Sequence, residues 1–392
     1  MRTLSRPIRI IADVVGAILL VAAVAMLALA IGTLAPAIPF LGSIGGYITV
    51  APAHVVLPLC LAIFVLCLPF IIRFRRWVYA AVAAVLVVTF VLVSVGAADV
   101  IHAFEDEGAE VGFFRCYNPM RFEEVQVDTA VYTTSSYGDV SLDVYYKADD
   151  AADKPVILYV HGGGWTGGSR KDHAYYSRAY AHHGYVAVSV DYDLSDEERH
   201  LADSTELQLT HALGWIATNI HRYGGNADAL YITGDSAGGN LALEIGYKVA
   251  DGTYTQANGV ALPKARALAV TYPVAYPHVF YANDDLVLGN PSKAMCTAYT
   301  GGTPDEIPAV YASICPAEHV DAATPPTMIV VGEADTMVQP IQSYHLAETL
   351  TKQGVDNRLV RLPHLNHGFD TMDASIGCQG VLALTLSWFE AH

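Results

Sequence analysis

Three stretches of this chain contain no charged residue and are each long enough to cross a lipid bilayer: Val14–Ile38, Tyr47–Ile72 and Trp77–Ala98. Each exceeds the roughly 20 residues that a helix needs to traverse the hydrocarbon core. A helix packed on a soluble core would carry a polar stripe opposite its apolar face, and these carry none. The first follows basic residues, as a secretory leader does, but its apolar run is longer than the roughly 7–15 residues of a leader core. The expectation is a membrane region over residues 1–98, with transmembrane helices at about 10–35, 48–72 and 77–98.

Charge assigns the sides. Arg2, Arg6 and Arg9 precede the first stretch, and Arg73, Arg75 and Arg76 lie between the second and third; the segment between the first two is uncharged. Cytoplasmic loops are the ones that collect Lys and Arg. The N-terminus is therefore expected in the cytoplasm and everything after Ala98 outside it, on the extracytoplasmic face of the cell membrane. Trp77 and Tyr79 are expected as interfacial anchors. Up to Ala98 the six arginines and single Asp13 give +5, so the remainder carries −22, the difference between −17 and +5. A part this acidic is unsuited to nucleic acid, which needs clustered Lys and Arg against phosphates.

Six cysteines divide by location. Cys60 and Cys67 lie in the second apolar stretch, where thiols serve as packing. Cys116, Cys296, Cys315 and Cys378 are an even number in an extracytoplasmic part, compatible with two disulfides. The expected pairs are Cys296 with Cys315, closing a short loop, and Cys116 with Cys378, tying the two ends. No Cys–His spacing suggests a zinc site, and no metal is expected.

From about Met120 the pattern changes. Val125–Thr133 and Val140–Tyr146 alternate as an antiparallel pair would. Val156–Val160, Val186–Val190, Leu230–Thr233, Ala267–Thr271, Thr327–Val331 and Leu359–Leu362 are short apolar runs of the kind that form buried parallel strands. Helical patterns fall between them at His173–His183, Leu201–Tyr223, Ala237–Val249, Ile341–Gln353 and Ile376–Ala391. Such alternation predicts a doubly wound, mostly parallel α/β sheet over residues 125–392, joined to the membrane region by a linker at 99–124. The irregular stretch 273–326 is long for a loop and is a candidate lid.

Four features in this part carry chemistry. Gly234-Asp235-Ser236-Ala237-Gly238 follows a predicted strand and opens a predicted helix, the context in which a sharp turn exposes a nucleophilic serine. His161-Gly162-Gly163-Gly164-Trp165 follows the strand Val156–Val160. Its glycines let backbone N–H groups approach a developing oxyanion. Gly163 and Gly164 are the expected donors, joined by the N–H of Ala237, with His161, Gly162 and Asp235 in support. A hydroxyl nucleophile needs a base, and the base an orienting acid. Asp335 projects from the loop after Thr327–Val331, further into it than the rival Glu333. His367 follows Leu359–Leu362 and is preferred over His364. The order Ser236, Asp335, His367 is the one expected of this architecture.

These residues resemble the hormone-sensitive-lipase-like branch of the α/β-hydrolase superfamily, from roughly Val125 to the C-terminus. The resemblance rests on His161–Trp165, on Gly234-Asp235-Ser236-Ala237-Gly238-Gly239-Asn240, on Asp335 and on His367-Gly368-Phe369, with Val190-Asp191-Tyr192 as a further mark. It implies an α/β-hydrolase fold; the three transmembrane helices expected before it from hydropathy are unusual for that branch. It also implies a serine ester hydrolase of the esterase/lipase kind, acting on a small-molecule or lipid ester through a Ser-His-Asp triad and an acyl-enzyme, with no cofactor. The same triad would serve an acyltransferase or an amidase or peptidase, and a catalytically silent binding module is the remaining alternative. The branch's N-terminal helical cap has little room here, since only Asp99–Gln126 is available for it.

Overall fold

The computed structural model describes residues 5–148 and 152–392; of the N-terminal arginines, Arg2 lies outside the described residues. The chain divides into two compact units. One holds the chain up to Pro119 with Gly332–Thr336 and Leu362–Gly380; the other holds Met120–Val331, Met337–Arg361 and Val381–His392.

The first unit is built on α1 (Arg6–Leu34), α2 (Leu41–Ile48), α3 (Ala53–Ile72) and α4 (Trp77–Asp106). Helices α1, α3 and α4 are each long and apolar enough to cross a membrane. Small residues let α1 and α4 approach: a Cβ on Gly16 would come within 2.6 Å of Val78. Tyr79, expected as an interfacial anchor, is instead buried and donates its hydroxyl to the Ala12 carbonyl at 2.8 Å. A phenol between apolar helices needs such a partner. Trp77 does face outward, 77% exposed.

Two boundaries differ from the hydropathy pattern. The second long helix begins at Ala53, because the preceding uncharged segment folds into the separate short helix α2. At the base of α2 the hydroxyls of Thr33 and Thr49 meet at 2.6 Å. Helix α4 continues past Ala98 to Asp106. Its acidic residues end the apolar run but not the helix, since hydropathy and helix propensity are separate quantities. A 3₁₀ turn at Phe113–Tyr117 follows.

The second unit carries the sheet. β1 (Val125–Ser135) and β2 (Gly138–Lys147) are antiparallel, and β2 runs antiparallel to β4 (Val186–Val190). β4, β3 (Lys154–Val160), β5 (Gly225–Asp235), β8 (Ala265–Thr271) and β9 (Thr327–Gly332) are parallel. With β10 (Asn357–Leu362) at the edge, the order is β1-β2-β4-β3-β5-β8-β9-β10. A small hairpin of β6 (Gln256–Ala257) and β7 (Val260–Ala261) stands apart. Every residue of β4 is buried, so both faces of the sheet are covered there. The connecting helices are α5 (Ala174–His182), α6 (Ala202–Asn219), α7 (Ser236–Ala250), α11 (Ile341–Lys352) and α12 (Ile376–Ala391). The stretch 273–326 is ordered into α8 (Pro277–Tyr281), α9 (Gly289–Thr300) and α10 (Pro308–Ser313).

The expected disulfides are not formed: all six cysteines are free thiols. Cys296 Sγ is directed at the Pro277 carbonyl (3.8 Å) and Cys315 Sγ at the Ala275 carbonyl (3.4 Å). Burial pushes both thiols up to about 12, so they stay protonated, whereas disulfide formation proceeds through a thiolate. Cys116 Sγ lies 3.9 Å from the Gly112 carbonyl and 3.5 Å from the amide nitrogen of Gln379, and Cys378 is buried.

A buried ionic cluster ties α6, α7 and the segment after α10 together. Lys248 Nζ sits 2.7 Å from Glu206 Oε2, 2.6 Å from Glu244 Oε2 and 2.6 Å from the Ser313 carbonyl. Burial and the neighbouring Glu206 hold the Glu244 carboxyl well above its usual range. Burial alone would lower Lys248, but the two carboxylates beside it hold it above its ordinary value. Replacing Lys248 by Met leaves two carboxyl groups facing each other in the core and is expected to destabilise the protein by about 3–5 kcal/mol. Denaturation of the detergent-purified chain measures this; adding Glu206→Gln and Glu244→Gln should restore most of the loss.

Candidate active site

The turn from β5 into α7 is set by close backbone approach. Ser236, the first residue of α7, has φ +54, and its side chain is largely buried. That left-handed conformation is costly for a residue with a Cβ. It is held by packing on both sides. A Cβ on Gly238 would lie 2.2 Å from the Val160 carbonyl and 2.3 Å from that of His161, so the first turn of α7 presses directly on the end of β3. The Ser236 carbonyl accepts from the Val274 N–H at 3.3 Å.

The glycine loop is fixed in the same unit. Gly163 has φ +116, and a Cβ there would meet the Gly167 carbonyl at 2.2 Å. Its own carbonyl accepts from Gly167 N–H at 3.0 Å, which closes the loop into a turn. His161 stacks on Tyr192 (ring centroids 4.3 Å apart), and its Nδ1 donates to the Gly162 carbonyl at 2.7 Å. Burial lowers its proton affinity, so it sits neutral and braces the loop. Asp235 links the two motifs: its Oδ1 accepts from the Gly162 N–H (3.3 Å) and from the Tyr159 hydroxyl, which in turn meets His173 Nδ1 at 2.8 Å.

The stretch 273–326 packs on this loop. Trp165 is buried at φ +59 and stacks on Tyr299 of α9, with 4.7 Å between centroids and 2° between planes. Met295 of α9 lies against Gly164. Asn240 of α7 donates its amide to the carbonyls of Val274 and Ile314 at 2.9 and 3.0 Å.

The loops after β9 and β10 belong to the first unit. There His367 Nδ1 and Asp335 Oδ2 lie 2.8 Å apart, both residues buried. The rivals stand elsewhere. Glu333 is exposed, and His364 pairs its Nε2 with Asp99 Oδ2 at 2.9 Å. Asn366, immediately before His367, is buried and uses both ends of its amide. Its Oδ1 accepts from the N–H groups of His367 (2.7 Å) and Thr336 (3.1 Å). Its Nδ2 donates to Thr336 Oγ1 (3.2 Å) and to the Ser43 carbonyl in α2 (3.0 Å).

The sequence pattern did not single out Tyr159, His173, Tyr299 or Asn366, and it named Asn240 only as the end of the serine motif. A buried Tyr or Asn inside an apolar run is a signal that a partner exists, but not of which one.

A family model described as BD-FAE matches residues 142–350, just over half of the chain. Among curated proteins, the esterase LipC of Mycobacterium tuberculosis is 28% identical over 61% of this chain and 60% of its own length. The probable carboxylic ester hydrolase LipM of the same organism is 24% identical over 68% and 62%. The chain thus spans about three fifths of the length of these relatives. Among solved structures, esterase B from Lactobacillus rhamnosis superposes with TM-score 0.58 at 23% identity, covering 76% of this chain and 94% of that one. The Pyrobaculum calidifontis esterase gives 0.57 at 22%, covering 76% and 93%. These likenesses establish the α/β-hydrolase fold.

Strain at the turn is measurable by itself. Ser236→Ala and Ser236→Gly both remove the hydroxyl, but only Gly adopts φ +54 without cost. After its larger unfolded-state entropy is discounted, the Gly variant should be more stable than the Ala variant by about 1 kcal/mol. Denaturation midpoints of the two purified variants decide it, and equal midpoints mean the turn is unstrained.

Proposed function

Because the chain belongs to the BD-FAE family, we propose that it is a carboxylic-ester hydrolase working through Ser236, His367 and Asp335. The observation that carries this reading is Ser236 held at φ +54 at the start of α7, beside a fixed His161–Trp165 glycine loop. Such a turn exposes a serine for attack and supplies N–H groups at the helix start. The hormone-sensitive-lipase-like motifs and the names of the relatives point the same way.

The cycle balances as follows. With Asp335 ionised, His367 Nδ1 is the donor in their 2.8 Å hydrogen bond, which leaves Nε2 with a free lone pair. Nε2 takes the proton of Ser236 Oγ as that oxygen adds to the ester carbonyl carbon. The carbonyl oxygen becomes an oxyanion and accepts from the N–H groups of Gly163, Gly164 and Ala237. Asp335 stabilises the imidazolium without itself taking the proton. Collapse of the adduct breaks the bond to the alcohol oxygen, which leaves with the proton from His367. Water then gives its proton to His367 and adds to the acyl carbon. The second adduct collapses to the free acid, and Ser236 Oγ recovers its proton. The net reaction is ester and water to acid and alcohol.

The three apolar helices anchor the protein in the membrane, with the N-terminus cytoplasmic and the hydrolase outside. Arg76 pairs with Asp13 at 3.2 Å and reaches the Arg9 carbonyl at 3.4 Å, so the basic ends of α1 and α4 form one charged cluster. That cluster belongs on the cytoplasmic side.

Two measurements test these statements. Ser236→Ala should abolish p-nitrophenyl ester hydrolysis and labelling by a fluorophosphonate, and Asp335→Asn should lower kcat by about 10⁴-fold by favouring the wrong imidazole tautomer; wild-type rates in either variant reject the assignment. For topology, alkaline phosphatase fused after His392 should be active and green fluorescent protein fused there dark, and the reverse pattern inverts the orientation.

A further inference from the structure

A membrane anchor requires one crossing helix, and among the described residues three helices are long and apolar enough to be one. Their connecting segment offers a reason. Helix α2 is seated on α1 by glycines: a Cβ on Gly32 would lie 2.4 Å from the Leu41 carbonyl, and one on Gly45 would lie 2.5 Å from that of Leu29. The Thr33–Thr49 hydroxyl contact at 2.6 Å closes the same joint. On its other side α2 meets the loop that carries His367. The Ser43 carbonyl accepts from Asn366 Nδ2 at 3.0 Å, and a Cβ on Gly46 would come within 2.9 Å of Asn366 Cβ.

Asn366 is the hub of this joint. Its Oδ1 receives the main-chain N–H of His367, and it also receives that of Thr336, the residue after Asp335. This amide joins the backbones that carry Asp335 and His367, beside the direct main-chain bonds from the Ala334 N–H to the Leu365 carbonyl (3.1 Å) and from the Glu333 N–H to the Leu362 carbonyl (2.8 Å), and its remaining hydrogens are directed to Thr336 Oγ1 and to α2. A second tie runs from α4 to the same loop, where Asp99 pairs with His364 at 2.9 Å and His364 is held at φ +61. A third joins Gln379 to both the N–H and the carbonyl of Gly112, at 2.9 and 3.2 Å.

We infer that α2 is part of the acid–base apparatus: through Asn366, a positioning residue, the segment between the first two apolar helices fixes the Asp335–His367 pair. The membrane region then does more than anchor. It supplies a wall against which the base loop is set, and a displacement of α2 relative to α1 reaches His367 through one side chain. Such control is plausible in size, because misplacing a catalytic group by about 1 Å can cost about 10²-fold in rate.

The inference rests on the proposed roles of Ser236, Asp335 and His367, and its test separates the two. Gly46→Val in the full-length chain alters only the α2 side of the joint, and Asn366→Ala removes the hub. Both should lower kcat for a p-nitrophenyl ester by about 10–100-fold with KM within about twofold, and should slow fluorophosphonate labelling in proportion. Ser236→Ala, assayed alongside, must be inactive; if it is active, the hydrolase reading itself fails. If Ser236→Ala is inactive but Gly46→Val retains wild-type kcat, the role of α2 is overturned. Should Gly46→Val fail to fold, Gly46→Ala, whose Cβ would still come within 2.9 Å of Asn366 Cβ and so displace it, decides by the same readout. A drop in kcat there supports the inference, and an unchanged kcat rejects it.

Discussion

The contact on which the second unit depends is backbone against backbone. The first turn of α7 touches the end of β3 so closely that no side chain fits at position 238. This approach forces Ser236 into the left-handed region, aims the start of α7 at the glycine loop, and brings Asp235 beside the Gly162 N–H. None of these features is affordable alone. A left-handed serine costs about 1–2 kcal/mol, and a buried carboxylate costs more unless it is hydrogen-bonded. They coexist because the same close packing supplies the Tyr159 hydroxyl and the Gly162 N–H that satisfy Asp235.

The stretch 273–326, the candidate lid, is ordered into helices that pack on the glycine loop. Its helix α9 stacks Tyr299 flat on Trp165 and sets Met295 against Gly164, while Asn240 of α7 holds both the start of the stretch and the residue after α10. The Lys248 cluster adds a further tie through the Ser313 carbonyl. A segment joined by an aromatic stack, two amide bonds and a buried ammonium cannot swing away without exposing each of them.

What the sequence made legible follows from how far each interaction reaches. The parallel strands and crossover helices were readable because each leaves a local apolar period, and the glycine loop and the serine turn because their geometry demands glycine at fixed offsets. Helix α2 was not, since Gly45, Gly46 and the flanking Pro36, Pro39 and Pro52 read as turn chemistry; it is held in place by α1, not by its own propensity. The overshoot of α4 to Asp106 was hidden because hydropathy stops at Asp99 although helix formers continue. The disulfide expectation rested on parity and compartment, which constrain cysteines only statistically, and the six cysteines of the structure are free thiols. Asn366 was the least readable residue of all: its partner is a main-chain carbonyl 323 residues away, and a carbonyl leaves no mark on the sequence.

That last case bears on how two neighbouring loops are held together. A catalytic pair on two loops has to be held at hydrogen-bond precision, and surface loops lack the packing to do it themselves. Asp335 and His367, the proposed acid and base, are buried on two loops that the Asn366 amide and the Ala334–Leu365 main-chain bond hold together. The segment between the first two apolar helices fills the space beside that amide. Once that segment fills the place, its glycines are constrained by chemistry that occurs elsewhere in the chain. Gly46, where a Cβ would come within 2.9 Å of Asn366 Cβ, is the glycine that this contact constrains.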